Sequence, residues 1–520
     1  MKYPIGQQNF QFLRSNGFVY IDKTGLIYKL VDENRFVFLA RPRRFGKSLL
    51  LSTLQAYFEG KKELFNGLAI ENIEKEWNRY PVFHLEFSKV NNSSHSDLIE
   101  EVQRQIADLE KKYEIPELDM NLGSRFANLI KTVSEKTGKQ VVILIDEYDS
   151  PLINTLHDEK LHEQNRSLLK SVYSNLKGLD VYIQFAMLSG VSRFSKMEIF
   201  SGLNNLYDIT FDNAYSTICG FTETEILNYL GEGINQLAFH ENISKQEAVE
   251  LLKKNYDGYH FTISSPDIYN PFSLLSALHK KEVGSFWFLT ATPSFLVERL
   301  YALGVNLSSL LNSEVSPTML ASADASHSSP IALLFQTGYL TIKGYEKEWD
   351  AYKLGIPNLE VKKGLFEEMS NIFQHKDSSD ILPLLRKITC ALKEGNPEEF
   401  LFALKSYLAT IPASLTQKSS ELYFENNIYI ILTLLGIYCR TEVSISKGRI
   451  DVEIQTEKYI YILELKLDKS AEEALKQIEE KSYALPYEHL DKTVFKIGIN
   501  FSSETRNITK WAVSISGKEA

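Results

Sequence analysis

The chain has 520 residues and a formal net charge of −10, from 57 Lys and Arg against 67 Asp and Glu. That length predicts two to four domains, and 44% hydrophobic with 24% charged residues excludes a fibrous or disordered chain. The acidic balance excludes a broad basic footprint on nucleic acid, so any such contact is expected to be local.

Three cysteines far apart, Cys219, Cys390 and Cys439, argue against a disulfide framework or a Cys-rich zinc site and fit a reducing cytosol. The first eight residues hold no apolar core, so no secretory signal is expected. The longest uncharged apolar stretch, residues 428–438, is about half the ~20 residues that cross a bilayer. It reads as a buried helix. A cytoplasmic protein with no membrane partner is expected.

From residue 35 to about 212, aliphatic runs alternate with amphipathic stretches: 36–40, 82–85, 141–145 and 181–188. Such runs are what buried parallel strands look like, and they predict an α/β domain over 1–212. From Thr222 the pattern turns helical, with a Thr cap and early acids. Residues 312–329, rich in Ser and Ala, read as a long loop. We divide this part into a helical lid or winged-helix-like region, 213–345, and a helical linker, 346–410. Over 411–520 a helix at about 420–435 precedes strands at 441–454 and 459–467 around a turn at 456–458. A helix at 471–484 and a strand at 494–499 follow. The order α-β-β-α-β describes a small self-contained domain.

The run 36–40 enters Arg41-Pro42-Arg43-Arg44-Phe45-Gly46-Lys47-Ser48 and then an apolar helix. Strand, Gly-Lys-Ser loop and helix together form the context of a P-loop, whose helix N-terminus offers N–H groups to phosphate. This octet is expected to bind ATP: Lys47 reaches the terminal phosphates and Ser48 ligates Mg2+. Arg41 stands where the pattern has its first glycine. Asp146, ending a buried strand, is expected to hold Mg2+ through water, and Glu147 to polarise the attacking water. Ser189, ending the next strand, is placed to sense the γ-phosphate. Arg193 is read either as neutralising transition-state charge or as a plain ion-pair arginine.

Residues 20–24 (YIDKT), 41–48, 144–149 and 190–196 (GVSRFSK) resemble the bacterial AAA-ATPase-like proteins. So do 256–261 (YDGYHF), 269–272 (YNPF), 290–295 (TATPSF) and 336–340 (QTGYL). In that family the RPRRFGKS form of the loop is usual. The resemblance implies an AAA-like N-terminal domain and covers nearly the whole chain.

Near the C-terminus, Asp451 on one strand lies opposite about residue 463 of the next, within reach of Glu464 on a small register shift. Glu464 and Lys466, two apart, share a face. Two carboxylates and a lysine at a hairpin can hold Mg2+ and position water against a phosphodiester, with Lys466 orienting the nucleophile. Gln477 and Glu421, on flanking helices, can complete the site. An alternating half-exposed strand with a solvated Glu464–Lys466 pair is the competing reading. The pattern resembles the PD-(D/E)XK nuclease superfamily. That resemblance implies a restriction-endonuclease-like α/β domain, with Asp451, Glu464 and Lys466 as catalytic triad and Glu421 and Gln477 as accessory residues.

Three functions follow as expectations. The first is an ATP-regulated, metal-dependent nuclease, acting on DNA ahead of RNA. The second is a nucleotide-dependent switch that binds a partner without cutting. The third is a remodelling ATPase, for which a homo-oligomer would be the sign. The middle aromatics, Phe286-Trp287-Phe288 among them, are read as core in preference to base-stacking platforms.

Overall fold

The computed structural model describes residues 1–88, 94–156, 158–176, 178–193, 206–287, 307–311, 313–321, 330–373, 381–411, 420–487 and 489–516. The chain forms two compact units, residues 1–291 with 314–361, and residues 292–313 with 362–520.

In the first unit the aliphatic runs become strands because both faces are covered: β1 (Phe36–Ala40), β2 (Val82–Glu86), β3 (Val141–Asp146) and β4 (Ile183–Gly190). With the short β5 (Tyr207–Asp208) they form one sheet in the order β2-β3-β4-β1-β5. Every pairing in it is parallel. Register brings Ala40 beside Gly190 and Glu86 beside Asp146, so the carboxyl ends of β1, β3 and β4 meet on one edge. The strand expected from 181 starts two residues later, because residues Asp180–Tyr182 form a 3-10 turn.

The Glu223–Glu241 helix begins where the Thr cap predicted, with Thr222 and Glu225 forming a capping box. It packs with Lys245–Tyr256 and Pro271–Lys280 around Leu230, Ile234, Leu252 and Leu274, and Tyr3, Ile5 and Val19 of the N-terminal segment join them. The middle is not wholly helical. Strands β6 (Glu314–Val315), β7 (Thr341–Glu346) and β8 (Ala351–Gly355) form a sheet in the order β6-β8-β7. The expected 312–329 loop therefore contains β6 and the Pro317–Ala321 helix, while residue 312 and residues 322–329 lie outside the described residues. The hairpin escapes pattern reading because its turn, at 347–350, puts Asp350 rather than a glycine at positive φ.

The second unit holds the sheet β13-β12-β11-β10-β9. Its strands are β9 (Tyr438–Ile445), β10 (Gly448–Gln455), β11 (Tyr459–Leu467), β12 (Thr493–Ser502) and β13 (Asn507–Ser516). The single strand expected at 441–454 is two strands, split by a tight turn at Ser446 and Lys447. The pairing of β11 with β12 is parallel, bridged by the Ala471–Glu480 helix, and the other pairings are antiparallel. Tyr461, Leu463 and Leu465 point to a core shared with the helices Ile381–Glu394, Pro397–Leu408 and Glu421–Leu434. Ile460 and Ile462 point to the opposite face, against Ile478 and Tyr483. Gly498 permits close approach there, since a Cβ on it would stand 2.2 Å from the Ala471 carbonyl oxygen.

Candidate functional site

The loop from Arg41 to Gly46 joins β1 to the Lys47–Phe58 helix, and Gly46, at φ 96°, makes the turn into that helix. Arg44 also takes positive φ, 68°, and rests on the Phe272 ring. Lys47 is 5% exposed and donates to the carbonyls of Arg41 and Pro42 at 2.9 and 3.0 Å. Burial pulls its pKa below the ordinary lysine value, opposed by Glu147, Asp146 and Asp149.

A cavity of about 550 Å³ opens over this loop. Arg43 through Ser48 and Glu147 are part of its lining, and Ile5, Val19, Ile21, Ile218, Phe221 and Phe272 supply apolar surface. Its size and its mixture of apolar wall with a few polar groups are those of a small-molecule site. A nucleotide fits, with phosphates on the N–H groups that open a twelve-residue helix. Asp146 Oδ1 accepts from Ser189 Oγ at 2.6 Å and from the Glu147 amide at 3.0 Å. Neither Asp146 nor Ser189 lines the cavity, whereas Glu147, at φ 52°, does. Burial pushes the Glu147 carboxyl up, opposed by Lys47.

Arg41 and Pro42 stand apart from the cavity lining. The Arg41 guanidinium is 1% exposed, donates to the Ala40 and Thr210 carbonyls, and lies 4.1 Å from the centre of the Phe261 ring. Burial draws its pKa down to about 10. Its side chain ties the first residue of the loop to Thr210, a bond that a glycine there could not make. Arg193 pairs with Asp208 at 2.5 Å, lies over the Phe211 ring, and is likewise away from the cavity. Phe194, Ser195 and Lys196 lie outside the described residues, as do Phe288 and Thr290 to Phe295.

Sequence reading missed Asp149. Its buried carboxylate accepts from the Val191 and Ser192 amides and from Ser192 Oγ, tying the acidic end of β3 to the turn after β4. Its place in the acidic run after β3 was the available signal. The apolar cavity wall had no local signal, because its residues come from positions 5 to 275.

In the second unit, Val452 pairs with Leu463, and the same register carried one step further sets Asp451 opposite Glu464. Asp451 Oδ2 accepts from the Leu465 amide at 2.8 Å, and Lys466 Nζ donates to Glu464 Oε1 at 2.7 Å. Gln477 also donates to Glu464 Oε1 from the covering helix, and Glu421 Oε1 accepts from the Leu467 amide at 3.0 Å. The sequence's five residues are thus on one stretch of sheet and its flanking helices.

Glu464 is 1% exposed, so the Glu464–Lys466 pair is not a solvated surface pair. Burial, with Asp451 adding to it, pushes the Glu464 carboxyl up to about 7. Burial likewise raises Asp451. Lys466 is also penalised by burial, but Glu464 and Asp451 outweigh this and hold its pKa above the ordinary value. Glu464 Oε2 is buried with no hydrogen-bond partner. A divalent cation fits that arrangement: an orphaned carboxylate oxygen beside a second carboxylate. Among the described residues no three His, Cys, Asp or Glu side chains gather closely enough to hold a metal ion by themselves. A cation held by Asp451 and Glu464 alone would take water and phosphate in its other positions.

These observations define a P-loop α/β unit joined to a mixed-sheet unit with a nuclease-type carboxylate–lysine cluster. Residues 4–200 match the family described as predicted AAA-ATPase, and residues 419–511 match the PD-(D/E)XK nuclease superfamily. A relative from Azotobacter chroococcum mcd 1, described as an uncharacterized protein in the vnfD 5' region, is 33% identical over 527 residues and covers 99% of both chains. The chain belongs to this family of predicted AAA-ATPases with a C-terminal PD-(D/E)XK domain. Among solved structures, the Aeropyrum pernix ORC2 protein in its ADPNP–ADP complexes matches 71% of this chain and 96% of its own. Its identity is 11% and its TM-score 0.25.

Proposed function

We propose that the protein is a cytoplasmic, ATP-regulated, divalent-metal-dependent nuclease acting on DNA. The observation that carries this is Glu464: a buried carboxylate with one oxygen unpartnered, set opposite Asp451 and bonded to Lys466 and Gln477.

Asp451 and Glu464 would hold Mg2+, which when bound supplies charge neutralisation and a more acidic water. Gln477 and Lys466 fix the Glu464 carboxylate through one oxygen, leaving the other free to act. Lys466, kept cationic by its carboxylate neighbours, is placed to orient a nucleophile and stabilise charge on a phosphodiester. Glu421 holds the Leu467 amide and thereby the end of β11, next to Lys466.

In the first unit Lys47 and Ser48 would take the phosphates and Mg2+ of ATP, with Asp146 holding that Mg2+ through water and Glu147 polarising the attacking water. Ser189 acts through Asp146, to which it is bonded. Among the described residues no helix is long and apolar enough to cross a membrane. The division into 1–212, 213–345, 346–410 and 411–520 is kept as a functional division of ATPase, lid, linker and nuclease. A homo-oligomer fits the AAA-like part.

The test is incubation of purified protein with single-stranded, linear and supercoiled DNA and with RNA, in Mg2+ or Mn2+, with and without ATP. Metal-dependent cleavage of DNA supports the proposal. Intact nucleic acid in every nucleotide state, with ATP bound, moves the assignment to a switch that binds a partner without cutting.

A further inference from the structure

We propose that Lys23, held by Glu225, is the residue through which the cavity recognises the base of its nucleotide, donating to an uncharged acceptor on the ring. The inference rests on reading that cavity as a nucleotide site.

In the run 20–24 (YIDKT) the residues divide by task. Tyr20, Ile21 and Lys23 line the cavity, while Asp22 and Thr24 hold the backbone that carries them. Asp22 Oδ1 accepts from the Thr24 amide at 2.8 Å and from the Thr24 hydroxyl at 2.7 Å. Its Oδ2 accepts from the Ala69 amide at 2.7 Å, and Thr24 Oγ1 accepts from the Ile70 amide at 3.1 Å. Lys23 therefore stands between two anchored neighbours.

Lys23 Nζ donates to Glu225 Oε1 at 2.5 Å and to Oε2 at 2.7 Å, with the two side chains 10% and 21% exposed. Glu225 is itself fixed, because its Oε2 also accepts from the Thr222 amide at 2.8 Å in the capping box of the Glu223–Glu241 helix. An ammonium has three donors. Two meet this carboxylate, and among the described residues the third has no acceptor. Burial lowers the Lys23 pKa, opposed by Glu225. A donor so far withdrawn from water gains from an acceptor that a ligand brings.

Charge decides which acceptor that is. Glu225 cancels the charge of Lys23 and repels a phosphate brought against the pair, whereas Arg43 and Lys47 line the same cavity as cations for the phosphates. An uncharged acceptor meets no such repulsion. Ile21 lies two residues before Lys23, and Phe221 directly precedes the Thr222 cap bonded to Glu225. Both line the cavity, so the pair is flanked in sequence by apolar surface of the kind that takes the face of an aromatic ring. Adenine offers N1, N3 and N7 as ring acceptors.

The experiment is titration calorimetry of the full chain with ATP, with the three ATP analogues that carry carbon in place of N1, N3 or N7, with ribose 5-triphosphate and with inorganic tripolyphosphate. It is run on the parent and on the double variant Lys23→Met with Glu225→Gln. That pair keeps an apolar stem, the capping-box acceptor and the net charge. ATP binds the double variant about 10- to 100-fold more weakly than the parent, the range for a hydrogen bond to a charged group. Ribose 5-triphosphate and tripolyphosphate, which lack the base, stay within about threefold of their parent affinities. One of the three analogues shows the loss already on the parent and no further loss on the double variant, because both changes remove the same contact. An ATP affinity that the double variant leaves unchanged overturns the proposal. So does a loss shared by ribose 5-triphosphate or by tripolyphosphate, or a parent that binds all three analogues as it binds ATP. Should the double variant fail to fold, the analogues on the parent decide. A parent that binds neither ATP nor tripolyphosphate overturns the nucleotide reading, and this proposal with it.

Discussion

In the proposed function Lys47 is the residue that meets the terminal phosphates of ATP. Its bonds to Arg41 and Pro42 close the loop on itself, and burial penalises its charge. A phosphate offers it stronger, charge-assisted partners. Lys47→Ala is expected to weaken ATP binding by about 10- to 100-fold, read by titration calorimetry, the range for hydrogen bonds to charged groups. Asp257 makes a different prediction. It is 2% exposed, and burial, with Asp267 adding to it and the Gly258 amide opposing, pushes its carboxyl from 3.8 up to about 7. The folded chain therefore keeps this proton to higher pH than the unfolded chain does. Its contribution is full below about pH 4 and is lost as pH rises toward 7. Asp257→Asn removes the titration, so its stability advantage over the parent should grow by about 2–3 kcal/mol between pH 5 and pH 8. Denaturant melts at the two pH values check this, and a difference independent of pH would contradict it.

At the scale of elements, the P-loop is braced by segments far away in the chain. Phe45 packs edge-on to Tyr259 and Phe261, the Gly220 amide donates to the Phe45 carbonyl, and Gly338 abuts Pro42. This is the physical role of the YDGYHF and QTGYL runs, which the sequence marked only by resemblance. Gly338 combines φ 92° with that contact, so Gly338→Ala should destabilise the first unit by about 2 kcal/mol and weaken ATP binding. Thermal melting with and without ATP reads both effects. Gly498→Ala is the counterpart in the second unit, forcing the Ala471–Glu480 helix away from β12 and Gln477 away from Glu464. It should abolish cleavage while nucleotide affinity stays at the parent value.

The P-loop strand, the acidic strand end and the Asp451–Glu464 pairing were legible because each is a local pattern: a buried run, a loop composition, a two-residue alternation. A turn of residues 456–458 sets residue 463 against Asp451, whereas the ladder is one residue further on, because the Thr456 amide bonds the Tyr459 carbonyl and Gln455 pairs with Ile460. The hairpin β7–β8, the break between β9 and β10, and strand β13 were not read. Their turns lack the Asn-Gly or Asp-Gly signal, and their pairing is set by tertiary packing. Arg41, expected at the phosphates, is not among the cavity-lining residues, and only the fold brings Thr210 and Phe261 against it.

At the scale of the whole molecule, the proposed function needs a nucleotide site in one unit and a cleaving site in the other. Nicking of supercoiled plasmid in Mg2+, with and without ATP, by the parent, Lys466→Ala and Lys47→Ala tests that claim most directly. The expected result is cleavage by the parent, none by Lys466→Ala, and cleavage by Lys47→Ala that no longer responds to ATP. Cleavage by Lys466→Ala at the parent rate, or an intact plasmid throughout with ATP bound to the parent, would contradict it.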